Sequence, residues 1–357
     1  MKSRQYWKDR KLARERAMYR DTDKAIKTIE ATFEEAQRKM ERDLAYWYAR
    51  FAVNNDVSYA TALKMLNAGE LEEFKWTVEE YIRRGEALDL PPEWMKQLEN
   101  ASARVHISRL DALKVQLQEY AEELTARLQG QMTDHLSGVI EDAYYGTLED
   151  AVNAVEMAGT FEVLDEKTLN TLLTKPWAAD GKVFSGRLWG NRDKLVRELH
   201  QVITSGTIRG ESLQKMTKNL AKRMSVAEHQ AATLIATETA ALSSETDRTV
   251  YRELGVEEFE VLETLDTHTC DWCSEMDGRH FPMTQYEVGV TVGPFHPNCR
   301  GTSVPYLDDE FEKAFDEKYG RAARDDDGDT IRITPGMEYG AWKTEQGGGV
   351  KTFRETV

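Results

Sequence analysis

All three cysteines of this 357-residue chain lie within 30 consecutive residues, and this clustering constrains the fold more than any other feature. The spacing is Cys270-x2-Cys273-x22-His296-x2-Cys299, which offers four metal ligands as two pairs at positions i and i+3. Such pairs lie on tight turns, and each pair can give two ligands to one tetrahedral ion. The spacing therefore predicts that the two pairs meet at one point. The alternative is that Cys270 and Cys273 are ordinary thiols and His296 is a turn histidine.

Four protein ligands would close the coordination shell and leave no position for water, which indicates a structural Zn²⁺ and not a catalytic one. An odd number of cysteines argues against a disulfide framework. The surrounding prolines and glycines predict a small, turn-rich domain, with Asp277-Gly278 as the turn of a hairpin between the two ligand pairs. A strand with Phe259 and Val261 on its buried face would place Glu258 and Glu260 towards solvent.

Apolar residues before residue 160 recur at spacings of three and four, which is typical of amphipathic helices. One stripe runs over 26–51, and short helices follow at 60–66 and 70–84. Another stripe, over 110–124, predicts a helix in a bundle, with either the first helix or another subunit as its partner. Ser225 and Glu228 have the spacing of a capping box, which predicts that a new helix begins there.

The predicted fold is mainly α, with a long-helix N-terminal and central bundle and a small α+β zinc-stapled C-terminal domain. Four regions follow from the changes of pattern. These are an elongated helical domain with a basic N-terminal arm at 1–160, a connector and helical domain at 161–255, the zinc-binding domain at 256–306, and an acidic, loosely ordered tail at 307–357.

The net charge of −16 argues against one large basic surface for nucleic acid, although the first 20 residues carry eight basic side chains against two acidic ones. This arm could bind nucleic acid or an acidic partner, or it could be a solvated helix. The candidate contact residues are Arg4, Lys8, Arg10, Lys11, Arg14 and Arg16.

Sequence motifs for catalysis are missing: the chain has no phosphate-binding loop, no H-E-x-x-H and no readable nucleophile arrangement. We therefore expect a protein that is not an enzyme. No window is apolar enough for a membrane span, and the basic N-terminus has no apolar segment of the kind found in signal peptides.

Two segments resemble a known family. They are Asp266-x2-Thr269-Cys270-x2-Cys273-x3-Asp277-Gly278 and Pro294-x-His296-Pro297-Asn298-Cys299-Arg300. Together they resemble the phage Mu F-like C-terminal domain of phage minor head proteins, also called head morphogenesis proteins. Lys175-Pro176-Trp177 resembles the version in tailed phages of Gram-positive hosts. Ala236 stands where the family usually has an arginine.

The resemblance implies a structural virion protein, inside the capsid near the portal vertex, that is present in the host cytoplasm during assembly. It implies the phage portal protein as a partner, and a scaffold protein, the major capsid protein and packaged DNA as further candidates. The implied role is to assist head morphogenesis, with DNA packaging or ejection as an added role. The alternative is a DNA-binding ejection protein that acts through the basic arm.

Overall fold

The computed structural model describes residues 4–54, 109–155, 163–209, 211–264, 266, 269–306, 321–324 and 330–333. The helices predicted at 60–66 and 70–84, and most of the predicted tail at 307–357, lie outside these residues. The helices are α1 (Arg4–Asn54), α2 (Arg109–Val155), α3 (Glu166–Thr174), α4 (Phe184–Arg209), α5 (Leu213–Glu253) and α6 (Asp271–Met276). The strands are β1 (Glu258–Leu262), β2 (His280–Pro282), β3 (Thr302–Pro305), β4 (Arg321–Arg324) and β5 (Thr330–Ile333). The chain is therefore mainly helical with a small C-terminal sheet, as predicted.

One compact unit contains the described residues of 23–134 and 184–235. Segments of α1, α2, α4 and α5 each bury an apolar stripe in its core. The stripes include Ile29, Phe33, Met40 and Leu44 of α1, Leu117, Leu124 and Leu128 of α2, Leu195, Leu199 and Ile203 of α4, and Met216, Leu220 and Met224 of α5. Burying such stripes against one another is the main stabilising term in a helical bundle.

Polar contacts show that neighbouring helices of this bundle run antiparallel. Gln116 donates a 2.6 Å hydrogen bond to Asp43, and Arg127 donates one of 2.9 Å to Glu35. Residue numbers therefore increase along α2 in the direction in which they decrease along α1. Further pairs are Lys114 with His200 and Glu122 with Arg192, between α2 and α4, and Glu198 with Arg223, between α4 and α5. The partner of the 110–124 helix is thus the first helix of the same chain.

The helix start predicted at Ser225 is wrong, because Ser225 and Glu228 lie inside the continuous helix α5. The observed cap is Ser212, whose side chain accepts a 3.3 Å hydrogen bond from the backbone N–H of Lys215. Inside a helix, residues at i and i+3 have the spacing of a capping box, so the pattern does not by itself locate a helix end.

The other compact unit contains residues 1–22, 135–183 and 236–357, as far as these are described. Its sheet has the order β2-β1-β3, and β1 runs antiparallel to both neighbours. Phe259 and Val261 of β1 join Tyr251 of α5 and Tyr286 in an apolar core. Strands β4 and β5 form a separate antiparallel pair.

Two expectations about this region are wrong. Glu260 does not face solvent: it is 1% exposed, and Lys8 Nζ lies 3.0 Å from its carboxylate, because both faces of β1 are covered. The Asp277-Gly278 turn does not join two strands, since α6 ends at Met276 and β2 begins at His280. Gly278 does have the positive φ, 75°, that such a turn requires of a glycine.

A polar stretch of α5 is buried in this unit. Its buried polar residues are Thr237, Glu238, Thr239, Ser243, Ser244, Glu245, Thr246 and Asp247. Trp177 Nε1 donates a 2.9 Å hydrogen bond to Glu238, and Ser244 Oγ donates one of 2.9 Å to the Gly293 carbonyl. Because buried polar groups need partners, these residues fix the connector and the C-terminal domain on α5.

Candidate metal centre

The two predicted ligand pairs each lie on a tight turn, and the turns flank the sheet. Cys270 caps the N-terminus of α6, and Cys273 lies in its first turn. His296 and Cys299 lie on a turn before β3 that is closed by a 3.1 Å hydrogen bond from the Cys299 N–H to the His296 carbonyl. Asn298 in this turn has a φ of 60°, a left-handed conformation that asparagine tolerates better than most residues.

The structure brings the donor atoms of Cys270, Cys273 and His296 into one group, and Cys299 joins this group through Cys273. His296 Nε2 lies 3.2 Å from Cys270 Sγ and 3.2 Å from Cys273 Sγ, and Cys273 Sγ lies 3.6 Å from Cys299 Sγ. All three cysteines are free thiols. For comparison, ligands on a tetrahedral zinc with Zn–S of about 2.3 Å would have sulfur atoms about 3.8 Å apart.

The ring of His296 is oriented for ligation through Nε2. His296 Nδ1 lies 2.9 Å from the backbone carbonyl of Pro297. A carbonyl only accepts hydrogen bonds, so Nδ1 carries a proton, and Nε2 is the ring nitrogen that faces the cysteines. Metal-ligating histidines commonly use their second nitrogen in this way.

The electrostatics favour thiolates at two of the three cysteines. A hydrogen bond donated by the Cys273 thiol lowers the pKa of Cys299 to about 6, helped by backbone hydrogen bonds from Gly301 and Phe295. The same hydrogen bond and burial raise the pKa of Cys273. At Cys270 burial opposes ionisation, but hydrogen bonds from Cys273 and the charge of His296 lower the pKa below its ordinary value. Thiolates are the form that binds metal ions.

Sequence analysis missed a fifth donor, Glu263, which directly follows β1. Its carboxylate oxygen, Cys273 Sγ and Cys299 Sγ all lie within 4.8 Å of one another, as do the donor atoms of Cys270, Cys273 and His296. Glu263 is 3% exposed, and burial together with the charge of Cys299 raises its pKa to about 10. The missing signal is tertiary, because an acidic residue at the end of a strand is ordinarily exposed.

Contacts outside the cluster hold the two ligand turns in place. Arg300 forms a two-pronged ion pair with Asp266, in which Nη2 lies 2.7 Å from Oδ1. The Asn298 N–H donates a 3.1 Å hydrogen bond to Thr237 Oγ1 of α5. Outer contacts of this kind orient the ligands in metal sites.

The residues present fit a metal ion. Three sulfur donors and one imidazole form a set that suits Zn²⁺, and the Nε2 atom of His296 already points at two sulfurs. In addition, Glu263 Oε1 is buried and has no hydrogen-bond partner among the described residues, which a nearby cation would compensate.

The basic arm forms the start of α1, and four of its six candidate contact residues have acidic partners in the same compact unit. Lys8 pairs with Glu260, Arg10 with Asp150, Lys11 with Asp247, and Arg14 with Asp150. Arg16 also takes part in an interaction, and the side chain of Arg4 is outside the described set. Much of the positive charge of the arm is therefore compensated within the chain.

Taken together, the fold and the cluster define a helical protein with a small sheet domain whose cysteines and histidine can hold a metal ion. Residues 197–304 match the family model described as phage Mu protein F like protein, and the matched segment contains all four predicted ligands and Glu263. No curated protein and no solved structure matches the chain. Among the described residues, no helix has the length and apolar character to span a membrane.

Proposed function

We propose that the protein is a minor head protein that binds at the portal vertex inside the phage head and assists head morphogenesis. A role in DNA packaging or ejection belongs to the same proposal. The observation that supports it most is the family match over residues 197–304, because the matched segment contains the whole Cys/His cluster. The two long helical units would then supply the surface that meets other head proteins.

The second part of the proposal is that Cys270, Cys273, His296 and Cys299 hold a structural Zn²⁺. When bound, the ion cross-links the α6 turn to the turn before β3 and closes the coordination shell. The chain's own residues prepare this site. Pro297 fixes the His296 tautomer, and backbone hydrogen bonds from Phe295 and Gly301 favour the Cys299 thiolate.

A metal ion bound at this site would stabilise the small sheet domain. The sheet domain is small, and polar contacts such as Ser244 with Gly293 and Thr237 with Asn298 help to attach it to α5. A small domain buries too little apolar surface to be stable alone, so metal binding can supply much of its folding free energy. We expect the ion to rigidify this domain and not to act on a substrate.

Portal binding is tested by co-expression of the full chain with the portal protein encoded by the same phage genome. Co-purification at moderate salt is expected. A Cys273→Ser/Cys299→Ser variant tests whether co-purification with the portal protein requires the intact metal site. The matched control is Trp272→Ala, which removes an exposed side chain beside a ligand. Repeated failure of the folded wild-type chain to co-purify would contradict the proposed position at the portal.

The alternative of DNA binding through the arm has less support, because Lys8, Arg10, Lys11 and Arg14 already pair with carboxylates. Phosphate contacts release counterions, so a DNA-binding arm would lose affinity steeply as salt rises. A titration of duplex DNA at two salt concentrations separates the two functions. Tight, strongly salt-dependent binding that is lost with residues 1–20 would favour the alternative.

A further inference from the structure

We propose that Glu263 is a metal ligand. Its carboxylate, Cys273 and Cys299 form a second donor set beside the first set of Cys270, Cys273 and His296, and Cys273 belongs to both sets. This inference rests on the metal site proposed above and adds to it an oxygen donor. The ligand class is a borderline divalent cation such as Zn²⁺, since thiolate, imidazole and carboxylate donors together suit that ion.

The first argument is the position of the carboxylate. A Glu263 oxygen, Cys273 Sγ and Cys299 Sγ lie within 4.8 Å of one another, the same limit that joins the first donor set. The backbone of Glu263 is held there, because its N–H donates a 2.9 Å hydrogen bond to Asp277 Oδ1 at the end of α6. This hydrogen bond therefore holds the backbone of Glu263 in place, with its side chain beside Cys273 and Cys299.

The second argument is that a buried oxygen of Glu263 lacks a hydrogen-bond partner among the described residues. Glu263 is 3% exposed, and Oε1 finds no hydrogen-bond donor in the described part of the chain. Arg300, whose charge acts on this carboxyl group, is engaged in its two-pronged pair with Asp266. A buried carboxyl oxygen without a hydrogen-bond partner is costly, and a metal ion between it and the two sulfurs would remove that cost.

The third argument is the space that the chain leaves for this carboxylate. A Cβ atom built on Gly301 would lie 2.0 Å from Glu263 Oε1, so only glycine at position 301 admits the observed position of the side chain. Gly301 also gives a backbone hydrogen bond that lowers the pKa of Cys299. The residue after the last ligand pair thus makes room for the oxygen donor and supports the thiolate beside it.

The two sets together give five donors around an ion that needs four. We infer that one ion per chain is held by Cys273 and Cys299 in every case, and that Glu263 provides the remaining protein donor whenever Cys270 or His296 is displaced. A site of this kind keeps its metal when the exposed half of the cluster is disturbed.

The test uses the full chain and Co²⁺ as the probe, because thiolate-to-cobalt charge-transfer bands report the number of sulfur ligands. Four proteins are compared: wild type, Cys270→Ser/His296→Asn, the same double variant with Glu263→Gln, and the double variant with Glu260→Gln. Glu260 is the matched control, since it is also a buried glutamate of the same strand region but pairs with Lys8.

The double variant should still bind Co²⁺, with about two-thirds of the wild-type charge-transfer intensity because two of three thiolates remain. Adding Glu263→Gln should weaken binding by a factor of about ten or more, and adding Glu260→Gln should not. Equal affinity with and without Glu263 would overturn the inference while leaving the zinc site intact. A folded wild-type chain that binds no Co²⁺ would overturn both.

Should the double variant fail to fold by circular dichroism, Glu263→Gln and Glu260→Gln, each in a chain that carries His296→Asn alone, decide the question. Bound ¹¹³Cd²⁺ has a resonance that moves when an oxygen ligand is lost. A shifted resonance in Glu263→Gln, and an unshifted one in Glu260→Gln, is expected. An unchanged resonance in Glu263→Gln would contradict ligation by this carboxylate.

Discussion

Arg300 Nη2 lies 2.7 Å from Asp266 Oδ1, so the residue directly after Cys299 is joined to the segment that leads into Cys270. Arg300 Nη1 contacts the second carboxylate oxygen, which makes the pair two-pronged. Thr269 Oγ1 adds a 3.3 Å hydrogen bond to Asp266, one residue before the first ligand. This pair therefore ties the two halves of the candidate metal centre together without contributing a ligand.

Arg300→Ala should weaken metal binding by a factor of about ten, because outer contacts of this kind orient the ligands. The measurement is competition for Zn²⁺ against a chromophoric chelator. Arg279→Ala, which removes an exposed arginine on the turn after α6, is the matched control and should leave the affinity unchanged. If Arg300→Ala binds Zn²⁺ as tightly as the control, the ion pair does not position the site.

Alkylation should distinguish the three cysteines in the metal-free protein. Cys270 is partly exposed and has a lowered pKa, whereas Cys273 and Cys299 are buried. Because the thiolate is the reactive form, iodoacetamide should modify Cys270 first, and added Zn²⁺ should slow the reaction by a factor of about ten or more. Mass spectrometry of digested protein gives the order of modification. Equal rates with and without Zn²⁺ would show that Cys270 is not a ligand.

The buried pair of Lys11 and Asp247 should contribute strongly to the stability of its unit. Asp247 is fully buried and also accepts a 2.8 Å hydrogen bond from Thr147 Oγ1. Lys11→Met would leave this carboxylate unpaired and should cost about 3–5 kcal/mol of unfolding free energy. Urea unfolding measures the loss, with the exposed Arg20→Met as control. Glu15 lies 3.2 Å from Lys11 Nζ, so a variant that removes both carboxylates on this lysine, Lys11→Met/Glu15→Gln/Asp247→Leu, should recover most of the stability. A loss that persists in this variant would contradict the assignment.

Stability between pH 4 and pH 7 should depend on Glu228. Burial, and then repulsion from Glu30 and Glu34, raise the pKa of Glu228. Because the pKa of Glu228 is higher in the folded state than in the unfolded state, its contribution to the unfolding free energy is complete below the unfolded-state pKa. This contribution is lost as pH rises through the folded-state pKa. Glu228→Gln removes this loss, so the variant should be more stable at pH 7 by about 0.5 kcal/mol, the size of a like-charge helix pair, with little gain at pH 4.

Urea midpoints at the two pH values check this, at low salt because screening weakens surface repulsion. The exposed Glu275→Gln serves as the control for removing a carboxylate. A gain of the same size at pH 4 and pH 7 would mean that the ionised form of Glu228 is not the cause.

Sequence periodicity was sufficient for the long helices of the described residues but not for their ends. The stripe that includes Phe33 and Met40 is buried as expected, since an apolar face repeated every three or four residues has few other ways to leave water. The start predicted at Ser225 failed because a helix interior and a capping box share one spacing. A local pattern does not tell whether the chain continues beyond it.

The candidate metal centre also combines residues that a local pattern predicts with residues that it does not. The spacing of the cysteines and His296 is a local signal, and the structure places their donor atoms together. Glu263 and Glu260 became buried through contacts with distant segments, such as Gly301 and Lys8, which no pattern within β1 indicates. Buried acidic residues are rare enough that sequence reasoning places them in solvent.

Zinc content is the most direct test of the proposed metal centre. Elemental analysis of the full chain, purified without chelator and with its cysteines reduced, should give about one zinc per chain, and Cys273→Ser/Cys299→Ser should lose it. Removing the metal should also lower the thermal midpoint of the wild type and leave that of the variant unchanged. A folded wild-type protein that contains no zinc and takes up none when it is added would contradict the assignment of Cys270, Cys273, His296 and Cys299 as its ligands.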